Sequence, residues 1–167
     1  MKGMNAMVKV GLGKVQALLL AGFLLLGCGS LAGGAEMATK EECVAKVQAA
    51  LKLVADKGID EALRQVQEST GPFVWKDSYV FIATADEAVV KAHAVKPGLI
   101  GKSLLNVKDV DGVMIFAEIA KAASSPEGKG WIHYKWPKPD ATEPSPKHTY
   151  VEKVPGMNLC VGAGYHD

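Results

Sequence analysis

The sequence predicts an α+β domain: an N-terminal helical segment packed on an antiparallel sheet, with a helix and a long loop inserted midway. Three observations carry that prediction. Val44, Val47, Leu51 and Val54 recur at intervals of three and four, the spacing of one helix face. In the last third, Trp131, His133 and Lys135 alternate with Ile132, Tyr134 and Trp136, the two-residue period of a strand. Glycine and proline then punctuate the stretch between these regions, at Gly71-Pro72, Pro97-Gly98 and Ser125-Pro126.

The chain opens on a leader. Lys2, Lys9 and Lys14 precede an apolar run from Ala17 to Gly27, which is short for a membrane span and is followed by small residues. Residues 1–35 are therefore expected to be an export signal. Two ends are open. Leu25-Leu-Gly-Cys28 has the form of a bacterial lipobox, in which Cys28 is lipidated, whereas Gly33-Gly-Ala35 suits a conventional signal peptidase. The domain proper is then residues 36–167, enough for one core.

Thr39-Lys-Glu-Glu42 has the form of a capping box and opens the first helix. Lys57-Gly58 interrupts the apolar stripe, and Ile59, Leu63 and Val66 continue it as a second, shorter helix. Tyr79 to Thr84 is an apolar strand, Ala85-Asp-Glu87 a turn, and Ala88 to His93 the partner strand. Lys96-Pro-Gly98 begins a loop that runs to Asp109. Asp111-Gly112 precedes a short helix with Val113, Phe116, Ile119 and Ala120 on one side. Three strands follow, the first two joined by a proline-rich hairpin at Pro137 to Pro146, and the last carrying Val161-Gly-Ala-Gly164.

Charge narrows the partners. Removing the leader takes three lysines from 19 basic residues and leaves 16 against 18 acidic, a net charge near −2. That balance argues against nucleic acid. Arg64 is the single arginine, so an anion held here meets an ammonium rather than a guanidinium fork.

Export also bears on the cysteines. With Cys28 acylated or cut away, Cys43 and Cys160 remain in an oxidising compartment. A bridge between them would close a loop worth roughly 4 to 5 kcal/mol in the chain-entropy model. The alternative is two buried free thiols.

Enzyme motifs are missing. There is no G-x-S-x-G elbow and no H-E-x-x-H. Cys160 lies in an expected strand rather than at a helix N-terminus, where thiolates are activated. Asp109-Val-Asp111-Gly112 lacks the terminal glutamate of a calcium loop, and Gly101-Lys-Ser103 lacks the preceding glycines of a P-loop. No catalytic residue, cofactor or metal is expected.

Read in order, Gly71-Pro-Phe73, Tyr79-Val-Phe81, Ala92-His93, Gly101-Lys-Ser-Leu104, Asp111-Gly112, Gly130-Trp131, Tyr134-Lys-Trp-Pro137, Tyr150-Val151, Val154-Pro-Gly156 and Val161-Gly-Ala-Gly164 resemble single Cache domains from Thr39 onward. The resemblance implies a PAS-like antiparallel sheet with a long N-terminal helix, whose concave face binds a small organic molecule. It implies an extracytoplasmic sensor of a short-chain carboxylate such as acetate, propionate, pyruvate or lactate, serving chemotaxis or signal transduction. Phe81 and Phe116 are expected as apolar walls, with ordinary core as the alternative. Tyr134 and Trp136 from their strand face, Lys147 and His93 by matching position, and Tyr150, unless it faces the helix instead, are the expected polar and aromatic ligand-binding residues. A strictly alternating strand puts His93 outward beside Lys91 unless a bulge intervenes.

With no second span before Asp167, a stand-alone exported form is expected, in the bacterial periplasm or lipid-anchored to the envelope. Its output would pass through a membrane receptor or histidine kinase. The other reading of the same fold is a structural or interaction protein that has lost its ligand and fills the pocket with its own side chains.

Overall fold

The computed structural model describes residues 36–167. The leader and the proposed lipidation site at Cys28 lie outside the described residues. Helix α1 spans Lys40–Lys57 and α2 spans Ile59–Gln67. Strands β1 (Val74–Trp75), β2 (Ser78–Thr84) and β3 (Val90–His93) follow. A short 3-10 turn at Pro97–Leu99 leads to α3 (Ile115–Ala123), then β4 (Lys129–Pro137), β5 (Pro144–Lys153) and β6 (Leu159–His166). This is the expected α+β arrangement of a PAS-like sheet behind an N-terminal helix.

The capping box forms as read. The Thr39 hydroxyl accepts from the Glu42 amide at 3.2 Å, and the Thr39 amide donates to the Glu42 carboxylate at 2.9 Å. Two orphan donors of the first turn are thereby satisfied. Gly58 closes α1 at φ 84°, a conformation that costs glycine little, and the chain turns at once into α2. The buried face of α1 is Cys43, Val47, Ala50 and Val54, while Val44 and Leu51 sit at its margins.

Every strand pairing is antiparallel. The order is β1-β2-β6-β5-β4, with β3 also pairing with β2, beyond the point where β1 leaves it. Strand β1 is a correction: two residues after Gly71-Pro72 that carry no alternation long enough to read. The hairpin is also longer than expected. Pro137 pairs with Pro144, so the strands continue into the segment read as loop, prolines included, at the sheet's edge.

Pairing fixes which side chains share a face. Val80 and Ile82 of β2, Ala92 of β3, and Val161 and Ala163 of β6 join the buried stripe of α1 and α2 in one aliphatic core. On the opposite face, Tyr79, Phe81 and Ala83 of β2, Val90 of β3, Ile132 and Tyr134 of β4, and Val151 of β5 pack beneath α3 and the loop before it. Asp109 fastens that loop. Its carboxylate accepts the backbone amides of Asp111, Val113 and Lys135 at 2.8–2.9 Å, tying loop to edge strand.

The proposed disulfide is absent. Cys43 and Cys160 are free and fully buried. Cys43 faces the sheet from α1, whereas Cys160 lies on the opposite face beneath α3, so the sheet itself stands between the two thiols. Burial raises both, Cys43 to about 11 and Cys160 to about 12, as expected of thiols that act as small apolar residues.

Candidate functional site

The face beneath α3 draws six of the seven expected ligand-binding residues together. Tyr134 and Lys147 are directly opposite each other across β4 and β5, and Phe81 is opposite both Gly162 and His93. Phe116 of α3 closes the space from above, its ring 6.3 Å from Phe81 and 6.4 Å from Trp136. Trp136 donates its indole N–H to the Tyr79 hydroxyl at 3.1 Å.

His93 reaches this face through an irregularity. Val90 pairs with Ala83 and Ala92 with Ile82, and the register shifts between Ile82 and Ala83. One extra residue on β3, the exposed Lys91, lets Val90 and His93 share a face that strict alternation would separate. The His93 Nδ1 accepts the Lys96 amide at 3.1 Å, which leaves Nε2 as the N–H of the neutral ring. Burial, with Lys147 and Lys96 nearby, lowers its pKa to about 3, so it is a neutral donor at physiological pH.

Lys147 is the decisive side chain. It is 3% exposed, and burial depresses its pKa because the ammonium loses its hydration. Its Nζ lies 4.4 Å from the centre of the Tyr79 ring. Among the described residues it makes no ion pair and donates no hydrogen bond to a side chain or carbonyl.

Glycines make room for this arrangement. A Cβ at Gly162 would sit 2.4 Å from the Phe81 ring, and one at Gly164 would sit 2.8 Å from the Lys147 Cε and 2.4 Å from the Thr149 hydroxyl. The floor of the site along β6 is therefore bare backbone at these two positions. The Thr149 hydroxyl bonds the Tyr134 hydroxyl at 2.9 Å, and burial raises the Tyr134 pKa, keeping the phenol neutral.

Tyr150 does not join the group. It belongs to the aliphatic core on the helix side, packs on Trp131 at 5.3 Å, and donates to the Glu152 carboxylate at 2.6 Å. The reason is parity: an odd number of residues separates it from neither Lys147 nor Thr149 on the pleat, so it points the other way.

Sequence reading missed Tyr79, Thr149, Lys96 and His166. The first two were within reach, since each is two residues from a chosen one (Phe81 and Lys147) on the same strand. Lys96 enters through the loop, its Nζ 4.6 Å over the Trp136 ring. His166 lies opposite Lys147 on β6 and is 2% exposed. Its Nδ1 meets the Ser145 hydroxyl at 2.9 Å, while Nε2 has no partner among the described residues. Burial lowers its pKa to about 4.

A cleft of about 250 Å³ reaches Tyr134 and Lys147 from the sheet end. A buried cation, a neutral imidazole donor and two phenols thus converge beside a wall of aromatic rings. Such a set can hold a small anion with a short apolar part.

Comparison with known proteins identifies the family. The family model described as Cache domain matches residues 43–166. A solved Cache chemosensory domain, studied for the structural basis of its carboxylic acid recognition, is similar at 27% identity and TM-score 0.63, over 75% of this chain and 91% of that one. The periplasmic sensor domain of a chemotaxis protein is similar at 25% identity and TM-score 0.59, over 75% of this chain and 88% of that one. A methyl-accepting chemotaxis protein from Vibrio parahaemolyticus shares the fold, with TM-score 0.64 and 24% identity over 76% of this chain and 87% of that one. The methyl-accepting chemotaxis protein McpP of Pseudomonas putida is 29% identical over 90 residues, 54% of this chain. The chain spans 16% of that curated relative's length.

Proposed function

Because the chain belongs to the Cache domain family, we propose that it is an exported sensor domain whose aromatic face captures a short-chain organic carboxylate. The observation that carries this reading is Lys147. A buried ammonium with no ion-pair or hydrogen-bond partner among the described residues, on which only the more distant Asp77 carboxylate acts, is costly, and the cost falls when an anion enters beside it. A carboxylate fits the surroundings: Lys147 supplies the charge, while Tyr134 and His93 Nε2 supply donors. Phe81, Phe116 and Trp136 enclose the carbon chain, and so small a space favours acids such as acetate, propionate, pyruvate or lactate. The similar domain studied for carboxylic acid recognition supports the choice of ligand class.

The same proposal extends to address and output. Residues 1–35 would export the domain to the periplasm, with or without a lipid on Cys28. A receptor or histidine kinase would read the ligand-bound state.

A specific pairing favours the second reading, a fold that has lost its ligand. The Tyr134 hydroxyl is already satisfied by Thr149 and the Trp136 indole by Tyr79, so part of the space is held by internal bonds. A thermal-shift screen of small organic acids separates the two. The expected result is a rise in melting temperature with at least one short carboxylate, abolished in Lys147→Met. Absence of stabilisation by every acid tested would retire the carboxylate proposal and leave the structural one.

A further inference from the structure

The helix-side face carries a second cluster that the ligand site does not use. His133 and His148 stand directly opposite each other on β4 and β5. Their rings are 4.4 Å apart at 77°, and their Nδ1 atoms meet. Behind His148, the Nε2 lies 2.9 Å from the Asp167 carboxylate, and the ring stacks on Tyr165 at 4.9 Å and 16°. Four elements of chain therefore fix the orientation of one imidazole: its own strand, the facing histidine, the stacked tyrosine and the carboxylate.

That carboxylate settles the tautomer. An acceptor at Nε2 keeps the proton there, so in neutral His148 the Nδ1 is a lone pair aimed at the Nδ1 of His133. A lone pair directed at a second ring nitrogen, with a carboxylate behind, is the carboxylate–imidazole arrangement that orients metal ligands. The cleft of about 250 Å³ described above is lined by both histidines together with Asp109, Asp111 and Asp167. Of the carboxylates there, Asp109 is occupied by backbone amides and Asp111 is paired with Lys135, so the Asp167 carboxylate against His148 is the one that serves the two rings, and the open cleft leaves room for water.

We infer that His133 and His148 form an open binding site for a late first-row divalent cation, held by both Nδ1 atoms, with Asp167 as the positioning residue. The described residues hold no group of three or more His, Cys, Asp or Glu side chains suited to one ion. Water therefore completes the coordination, and affinity comes from two imidazoles. Paired imidazoles suit copper, nickel and zinc, with Cu(II) the tightest of the series. Calcium and magnesium, which require oxygen ligands, are excluded by the donors. The two rings point to the sheet face opposite Tyr134 and Lys147, although the cleft beside them borders both, and the metal titration is read without any organic acid.

The competing arrangement is a proton shared between the two Nδ1 atoms, and a titration distinguishes them. Untagged protein isolated from cells is stripped with a chelator and titrated with Cu(II), Ni(II), Zn(II), Ca(II) and Mg(II) chlorides. The expected result is one Cu(II) per chain, with two imidazole nitrogens coupled in its electron paramagnetic resonance spectrum and no response to Ca(II) or Mg(II). His133→Asn and His148→Asn should each weaken binding at least about tenfold, and Asp167→Asn should weaken it about 10-fold or more, as expected for loss of an outer-shell carboxylate. In the unsubstituted protein, substoichiometric Cu(II) should broaden the ring resonances of His133 and His148 before those of His93 and His166. Binding that is unchanged in the double His133→Asn, His148→Asn variant overturns the inference. So does a spectrum without imidazole nitrogen, or broadening that spares these two rings.

Discussion

The two faces of the sheet are built from different materials. Toward α1 and α2, the contacts are valine, alanine and isoleucine: Val47, Ala50, Val54 and Val66 against Val80, Ile82, Val161 and Ala163, all at 7% exposure or less. Toward α3, the same strands offer Tyr79, Phe81, Tyr134 and Trp136 with Lys147 and His93 enclosed among them. The first face gains stability with each residue it buries. The second buries a cation and two histidines at a cost, which the fold tolerates because the first face is sound. A sheet a single residue thick thus separates the aliphatic core from the face proposed for recognition.

Substitutions on each face should behave oppositely. The largest expected effect is on the aliphatic side. Ile82 is fully buried, and Ile82→Ala should cost about 2–5 kcal/mol of unfolding free energy through lost burial and a residual cavity. Carboxylate affinity should be unchanged in the fraction that folds. Urea denaturation alongside a binding isotherm measures both, and a large loss of affinity would show that the faces are energetically coupled.

On the aromatic side the sign should reverse. Lys147→Met replaces a buried ammonium by an unbranched apolar chain that fits the same path over Gly164. We expect a gain of about 1–3 kcal/mol in the unliganded protein, with loss of ligand-induced stabilisation. A destabilised Lys147→Met that still responds to acids would break the comparison at its central residue.

The acid response should be confined to the aromatic side. His93 and His166 have folded pKa values of about 3 and 4 against an ordinary 6.5. Each binds a proton more readily when unfolded, so the stability associated with them is complete above pH 6.5 and is lost as pH falls toward those folded values. The expected fall is on the order of a few kcal/mol by about pH 4. His93→Phe should lessen that slope from pH 6.5 downward. A slope identical to the parent's would show that exposed carboxylates, not this buried ring, govern the acid limb.

What the sequence disclosed follows the same division. Helix α1 was readable because Thr39, Glu42 and Gly58 act locally, within a turn of the residues they cap. The face of β4 was readable because Ile132, Tyr134 and Trp136 obey a two-residue period over nine residues. His93 was readable only by position, since its burial depends on a register shift across β2 and β3 that no local pattern encodes. Tyr150 was left open between the two faces, and parity decides it: counting outward from Lys147 puts Thr149 on the aromatic side and Tyr150 toward the helices. The cysteines failed for a related reason. Both are buried, and burial alone says nothing of which side of a sheet a thiol occupies.

Asp109 has a kinetic consequence. The segment above the aromatic face is tied to edge strand β4 where the Asp109 carboxylate accepts the Lys135 amide and Asp111 pairs with the Lys135 ammonium. If a guest enters and leaves beneath that segment, its residence time is governed by how often both aspartates release Lys135. Sensor memory would then be a property of these two loop aspartates, adjustable apart from the aromatic walls that enclose the guest.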